Sequence, residues 1–317
     1  MASRTRLYFA TDLHGSSKCF RKFLNAGPTY GADVLVLGAD LGGKAIQGIV
    51  RGSDGRWRAR FVGTDHDVAE GPDLEALERL IEDHGYYPYR AEPGELEDRK
   101  AAGTLDDLFL ELMSERLRAW MALADERLRP RGIPIFIMLG NDDPPELGRI
   151  LDEAAWATHV EGKVIRLDQD HELVSWGFSN LTPFQSHREQ TEADLAASIG
   201  SMVSELADPT RAVFNLHVPP IASGLDDAPV LDQALTVQQS LGQVRFAPAG
   251  STAVREAIET TQPLLSLHGH IHESAAIRRI GRTIAINPGS DYATGALNGA
   301  LVTLEWDKVA THQLVRG

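Results

Sequence analysis

Cysteine is nearly absent: Cys19 stands alone among 317 residues. No intramolecular disulfide is possible, which fits a reducing compartment. No stretch approaches the roughly 20 consecutive apolar residues that span a bilayer. The N-terminus, MASRTRLYFATDLHG, runs into a strand-like segment without the long apolar stretch of a signal peptide. A cytoplasmic protein with no membrane partner is therefore expected. Basic residues are also short, with 31 Lys and Arg against 45 Asp and Glu and a net charge of -14. That balance argues against a surface for duplex nucleic acid, which needs clustered cations. It leaves room for a local basic patch or bound metal ions to attract a small anion. Internal repeats and low-complexity segments are missing as well.

What is there is a series of short apolar runs, each ending in polar or Gly-rich residues: RLYFATD, ADVLVLGAD, IPIFIMLGND, ELVSWGFSN, AVFNLHVPP, PLLSLHGH, TIAINPGS and GALVTLEW. Rich in Val, Ile, Leu and Phe, they read as buried strands. Helical patterns lie between several of them. The clearest is LDDLFLELMSERLRAWMALADERL, with Leu105, Leu108, Phe109, Leu112, Leu117, Trp120 and Ala124 at helical spacing. Alternating strands and helices predict an α/β layered fold in a single domain over residues 1–317. The stretch from about 45 to 128 is too long for an ordinary connection and reads as an insertion. It opens with a β-hairpin around Asp54-Gly55, continues into helices, and includes YRAEPGELEDRKAAGT, which reads as an exposed loop.

The strand ends carry the chemistry. LLSLHGHIHE places His268, His270 and His272 at alternate positions, so on a continuing strand all three would start out on one face. Gly269 is the residue able to bend that chain. Other strand ends offer Asp12 and His14 in TDLHG, Asp40 in LGADLGG, Asn141 in LGNDDP and His217 in NLHVPP. Open α/β sheets place ligands at the carboxyl ends of their strands. Without His268, the set holds two carboxylates, one amide oxygen and four imidazoles. That is too many for one four-coordinate ion, but it suits two ions sharing a carboxylate, the arrangement that clamps both oxygens of a phosphoryl displacement.

In these residues the sequence resembles the calcineurin-like metallophosphoesterases, whose motifs run D-x-H, G-D, G-N-H-D/E, H and G-H-x-H. Here they read Asp12-x-His14, Gly38-Ala39-Asp40, Gly140-Asn141-Asp142-Asp143, His217 and Gly269-His270-Ile271-His272, with a closing NPGS at 287–290 typical of the prokaryotic branch. Two departures stand out: Ala39 precedes Asp40, and Asp142 replaces the motif histidine. The resemblance implies a four-layer αββα sandwich of two mixed sheets with the metals at the sheet edge. It implies that Asp12, His14 and His272 hold one ion, that Asn141, His217 and His270 hold the other, and that Asp40 bridges. It further implies a phosphoesterase using a water or hydroxide between two ions on a small anionic phosphoester. A phosphodiester is preferred to a monoester, because relatives lacking the motif histidine include diesterases. The mixed nitrogen and oxygen donors suit Mn, Fe, Zn, Co or Ni without choosing among them. Two alternatives remain: a binding or scaffold protein on the same fold, and a nuclease. Oligomeric state is not readable.

Around the ligands, Asp142 and Asp143 are candidate catalytic carboxylates, with Asp143 expected to orient Asn141 or its loop. His268 matches no ligand position and is expected to support the ligands from behind, as are Asn287 and Ser290. Ser251 and Thr252 in AGSTAVRE open a helix, as either an ordinary N-cap or a phosphate site. Arg56, Arg58 and Arg60 alternate with apolar residues on the hairpin, giving either a solvated face or a guide for an anionic substrate. Arg188, at a helix start, reads as a surface residue.

Overall fold

Leu7 and Phe9 point one way from the first strand, and Tyr8 and Ala10 the other; all four are buried. A strand covered on both faces must lie inside a layered stack. The structure, a computed structural model, describes residues 4–232, 234–240 and 242–317. Two six-stranded mixed sheets lie at its centre. The first runs Lys308–Arg316, Asn298–Glu305, Arg4–Ala10, Val34–Leu37, Ile135–Ile137 and Ala157–His159, with the last four strands parallel. The second runs Ala276–Ile280, Thr283–Asn287, Leu265–Leu267, Val213–Leu216, Glu172–Trp176 and Val164–Arg166, parallel in its middle four and antiparallel at both edges.

Three apolar clusters bind these layers. Leu7, Phe9, Val36, Val213, Leu265 and Ile286 pack between the sheets. Outside the first sheet, Tyr8 and Leu35 meet the helices Ser17–Tyr30 and Leu105–Leu128, where Phe20 stacks on Trp120 at 4.3 Å. Outside the second, Val174 and Phe214 meet the helices Glu192–Ser204 and Thr252–Thr261. The order helix, sheet, sheet, helix is the predicted four-layer sandwich. Within the long helix, Leu108, Leu117, Trp120 and Ala124 are buried as its spacing demands.

The insertion carries more structure than its sequence suggests. Ile46–Arg51 and Trp57–Phe61 form the predicted hairpin, with Gly55 at φ +78° in the turn. Thr64–Val68 and Tyr87–Ala91 complete a four-stranded sheet with a small core of its own, in which Ile49, Trp57 and Phe61 meet Leu74, Leu77 and Ile81. The expected loop YRAEPGELEDRKAAGT instead contains the end of the strand Tyr87–Ala91 and the helix Glu95–Ala102. Its polarity comes from a helix with no buried side chain, held by charge pairs such as Glu95–Arg99. No helix among the described residues is long and apolar enough to cross a membrane.

Candidate metal centre

Strand Arg4–Ala10 ends two residues before Asp12, Val34–Leu37 three before Asp40, and Ile135–Ile137 four before Asn141. His217 follows Leu216 directly, and His270 and His272 follow Leu267. The loops that leave these strands are stitched together by backbone. Asp12 N donates to Ala39 O at 2.9 Å, His14 N to Asp40 O at 3.0 Å, and Gly269 N to His217 O at 2.9 Å. Four of the expected ligands sit in left-handed backbone: Asp12 at φ +55°, His14 at +39°, Asp40 at +51° and His270 at +66°. Such conformations cost on the order of 1 kcal/mol or more each and persist where surrounding structure enforces them. They turn each side chain back over the strand ends. Gly140 and Gly269 allow the loops to close on one another, since a Cβ on Gly140 would overlap the Asp40 carboxylate and one on Gly269 the Asp12 carboxylate.

The result is two clusters of donor atoms and a third group that overlaps them. Asp12, His14 and His272 form one cluster, Asp40, His217 and His270 the other, and His14, Asp40 and Asp142 the overlapping group, the atoms of each lying within 4.8 Å of one another. His14 Nε2 and His272 Nε2 are 3.1 Å apart, and His272 Nε2 lies 3.4 Å from Asp12 Oδ1. Asn141 Oδ1 is 2.9 Å from His217 Nε2. Asp40 Oδ2 stands between the clusters, 3.3 Å from His217 Nε2 and 3.7 Å from His14 Nε2. Asp12, His14, Asp40, Asn141 and His217 are at most 2% exposed. Nδ1 of His14 and of His217 meets no partner, so neither ring is oriented by a hydrogen bond at that nitrogen.

Charge follows geometry. Burial opposes ionisation of Asp12, but the hydrogen bond and charge of His272 hold it at about 2. Burial likewise opposes ionisation of Asp40, yet His217 and His14 keep it well below the usual carboxylate range. Burial pushes His14 down to about 4, and burial with His217 does the same to His270. His217 goes the other way: burial would lower it, but the Asp40 carboxylate lifts it to about 9. Ionised carboxylates beside imidazoles, of which His14 and His270 are held neutral, are a donor set that fits divalent metal ions.

The supporting residues divide. His268 is buried with Nδ1 at 2.8 Å from Leu216 O and Nε2 at 2.8 Å from Ser266 Oγ, apart from both clusters. The strand stops at Leu267, so the alternation of His268, His270 and His272 on one face does not continue. His270 instead joins one cluster and His272 the other. Asn287 Nδ2 donates to Ile271 O and Leu225 O, and Ser290 Oγ to Asp12 O at 2.6 Å, bracing the ligand loops. Asp143 is fully buried and accepts from Gly42 N and Gly140 N at 2.7 Å and from Leu41 N at 3.0 Å. Burial and Asp40 push it up to about 7 while these three N–H groups oppose that. With its oxygens turned onto backbone, it positions two ligand loops rather than acting as a catalytic carboxylate.

Two open alternatives resolve to the ordinary one, and one expectation fails. Ser251 is a true N-cap, accepting from Val254 N, but its hydroxyl donates to Glu192 Oε2, which also accepts from Ala253 N. A carboxylate of the chain already fills this helix end, so Ser251 and Thr252 offer no phosphate site. Arg56 pairs with Asp67, Arg58 with Asp54 and Asp67, and Arg60 lies 4.0 Å from Asp65. None of the three lines the cavity over the donor clusters, so the hairpin is a self-neutralised face and not a substrate guide. Arg188 is only 4% exposed: its guanidinium pairs with Glu161 and donates to Gly140 O, while its backbone N donates to Asn141 O.

Sequence reasoning missed the polar neighbours of Asp142. Lys44 Nζ lies 3.2 Å from Asp142 Oδ2, and Ser186 Oγ and Asn141 Nδ2 both donate to Asp142 Oδ1 at 2.8 Å. Burial opposes the charge of Lys44, but Asp142 keeps its pKa raised. Tyr292 packs its ring 4.7 Å from that of His14. Position in sequence offered a hint only for Lys44, four residues after Asp40.

Comparison with known proteins agrees with the fold. TT1561 of Thermus thermophilus superposes over 99% of both chains with a TM-score of 0.55 at 14% identity. The chain shares its overall fold with that protein. On this fold the donor clusters lie at the carboxyl ends of both central sheets. No protein-family model matches the chain. An uncharacterized protein of Methanocaldococcus jannaschii, MJ1162, is 30% identical over 153 residues, which cover 47% of this chain. The match spans 61% of that relative's length.

Proposed function

We propose that this chain is a metallophosphoesterase, a two-metal phosphoester hydrolase that prefers diesters. The observation that carries the reading is the convergence of seven donor residues, drawn from residue 12 to residue 272, with Asp40 standing between two clusters. Asp12, His14 and His272 would hold one ion; Asn141, His217 and His270 the other; Asp40 would serve both. When bound, two such cations lower the pKa of water and neutralise charge on the reacting phosphate oxygens. The identity of the metal stays open among Mn, Fe, Zn, Co and Ni.

The chain's own residues bear on the substrate. Asp142 opens on the cavity, but its oxygens accept from Ser186 and Asn141 and pair with Lys44. Both oxygens are thus already engaged by the chain's own donors. The carboxylate's charge, only partly offset by Lys44, opposes a dianion more than a monoanion. Both features favour a diester with a good leaving group over a monoester. Asp143 and Arg188 hold the 140–142 loop, so the geometry of Asn141 depends on residues that never meet substrate. The complete donor set speaks against a scaffold that has lost its chemistry, and the acidic balance against a nuclease for duplex DNA.

Metal-stripped protein reloaded with Mn²⁺ should take up close to two equivalents and hydrolyse bis-p-nitrophenyl phosphate faster than p-nitrophenyl phosphate. Asp142→Ala should keep most of the diester activity, because no general acid is removed. Failure of the wild type to take up any transition metal would end the two-metal reading. A loss of 100-fold or more in kcat for Asp142→Ala, with metals retained, would make Asp142 a proton donor, since general acid catalysis is typically worth ~10²–10⁴-fold.

A further inference from the structure

The cavity over the donor clusters has a volume of about 820 Å³, far more than a phosphate group needs, and its lining is of two kinds. Asp40, Asn141, Asp142, His270 and His272 supply polar groups. Leu181, Pro183, Phe184, Leu231, Leu235 and Val237 supply an apolar wall. Leu181 and Phe184 are 64% and 63% exposed, and Leu235 and Val237 are 46% and 41% exposed. Exposed large apolar side chains gathered on one wall mark a binding surface more than scattered ones do. Here the wall is continuous with the proposed metal centre, inside one cavity.

The wall is also braced. The 181–187 turn is tied to the 140–142 loop through Ser186 Oγ on Asp142 and Arg188 N on Asn141 O. The arm carrying Leu231, Leu235 and Val237 is anchored where the Asp226 carboxylate accepts from the backbone N of Ala222, Ser223 and Gly250. Strands Asp227–Pro229 and Phe246–Pro248 then pair above that anchor. The apolar side chains are thus held at a set place relative to the clusters.

What the wall lacks decides between ligands. Reading a nucleobase takes several convergent donors and acceptors with free valences. Thr182 Oγ1 is spent on Glu189, Ser186 Oγ on Asp142 and Lys44 on Asp142. Asn180 Nδ2 reaches two backbone carbonyls, and Asn180 Oδ1 is, among the described residues, the buried polar atom on this lining with no partner. Glu273 lies exposed at the lip, unfavourable to a second anionic group. A wall of large apolar side chains, with Asn180 Oδ1 as its one unpartnered buried polar atom among the described residues, is suited to hydrocarbon more than to a nucleobase.

We propose that the substrate is a phosphodiester one of whose ester groups is a hydrocarbon chain, seated against Leu181, Phe184, Leu231, Leu235 and Val237. This rests on the phosphoesterase reading and names the substrate class of the same site. The test is a series of alkyl p-nitrophenyl phosphates, from methyl to octyl, with Mn²⁺-loaded full-length protein. Each turnover consumes one water, breaks the P–O bond to the aryl group and releases p-nitrophenolate and the alkyl phosphate. kcat/KM should climb roughly three- to fourfold per methylene over the first several carbons, the factor expected for burying a CH₂ group, mostly through KM. Leu235→Asp with Val237→Asp should flatten that climb while metal content stays that of the wild type. A flat series, or a nucleoside p-nitrophenyl phosphate turned over better than the hexyl ester, would overturn the proposal. Calorimetric binding of methyl- and hexylphosphonate separates the two readings. Tighter hexylphosphonate binding without hydrolysis of any ester would sink the phosphoesterase reading and keep the apolar site. Hydrolysis at equal rates along the series, with both phosphonates binding alike, would sink the apolar site alone.

Discussion

Two regions of this chain concentrate charged residues at strand ends and turns, and they behave in opposite ways. On the insertion hairpin, Arg56, Arg58 and Arg60 face Asp54, Asp65 and Asp67 with side chains about half exposed or more. Each cation has an anion, water reaches every pair, and such pairs contribute about 0–1 kcal/mol. At the edge of the central sheets, Asp12, His14, Asp40, Asn141 and His217 are buried, and their donor atoms crowd one another, with Asp40 3.3 Å from His217 and Asp12 3.4 Å from His272. Burying charged groups costs several kcal/mol unless something compensates. A buried cluster of carboxylates and imidazoles converging on common points, on strained backbone, is organised for a cation. A saturated exposed cluster is organised for solubility. Composition alone does not distinguish them; burial and pairing do.

That contrast can be broken experimentally. Its strongest test is Asp40→Ala, which removes the carboxylate lying between the clusters. Metal analysis should show both sites weakened, and diester hydrolysis should fall at least ~10³-fold, since the shared ligand supports the whole chemistry. Retention of two tightly bound ions would mean that the clusters are independent.

Asp143→Ala asks whether support behind the ligands matters as much as the ligands. It leaves the N–H groups of Leu41, Gly42 and Gly140 without their acceptor, and an unsatisfied buried group costs about 1–3 kcal/mol. Metal affinity should drop by 10–100-fold, as outer partners of metal ligands typically contribute, with a clear loss in Tm. An unchanged affinity would reduce Asp143 to a fold-stability residue.

Proton linkage gives a third test. His217 without metal holds its proton up to about 9, because the Asp40 carboxylate outweighs burial, yet an imidazole bound to metal must be neutral. Binding must therefore displace a proton at any pH below about 9. Apparent affinity should rise about tenfold per pH unit and level off above that value. His272, also raised by Asp12 against burial, adds to the slope at the acid end. Calorimetry in buffers of different ionisation enthalpy would count the protons, and finding none released at neutral pH would contradict the charge assignment.

The smallest effect belongs to the hairpin. Replacing Arg56, Arg58 and Arg60 with Gln should change KM for diesters less than twofold at low salt, because those charges already have partners. A several-fold rise in KM, fading with added salt, would restore them as a substrate guide.

Much of the centre was legible in the chain because ligands at the ends of buried strands leave two local marks, an apolar run and the polar residue that stops it. Asp12, Asp40, Asn141, His217 and His270 all carry both. The helix Leu105–Leu128 was legible from apolar spacing. Glu95–Ala102 was not, because a helix that buries nothing has no apolar period to read. Arg188 shows the same limit from the other side, since a polar residue beside a helix start is the ordinary pattern of a surface.

By itself the sequence determined the alternation of strands and helices, the donor types and the strand ends on which they lie, because periodicity and residue chemistry are local properties. The order of layers and the grouping of donors were implied by the family resemblance, and in the tertiary structure the same residues meet. The tertiary structure turned His270 and His272 to different partners through a left-handed backbone, closed the N-terminus of Thr252–Thr261 with Glu192, and saturated the arginine hairpin with aspartates. It also brought Leu181, Phe184, Leu231, Leu235 and Val237 into the lining of one cavity with the centre. Each of these depends on contacts between segments far apart in the chain, and whether a charge is paired or a side chain covered is settled where those segments meet.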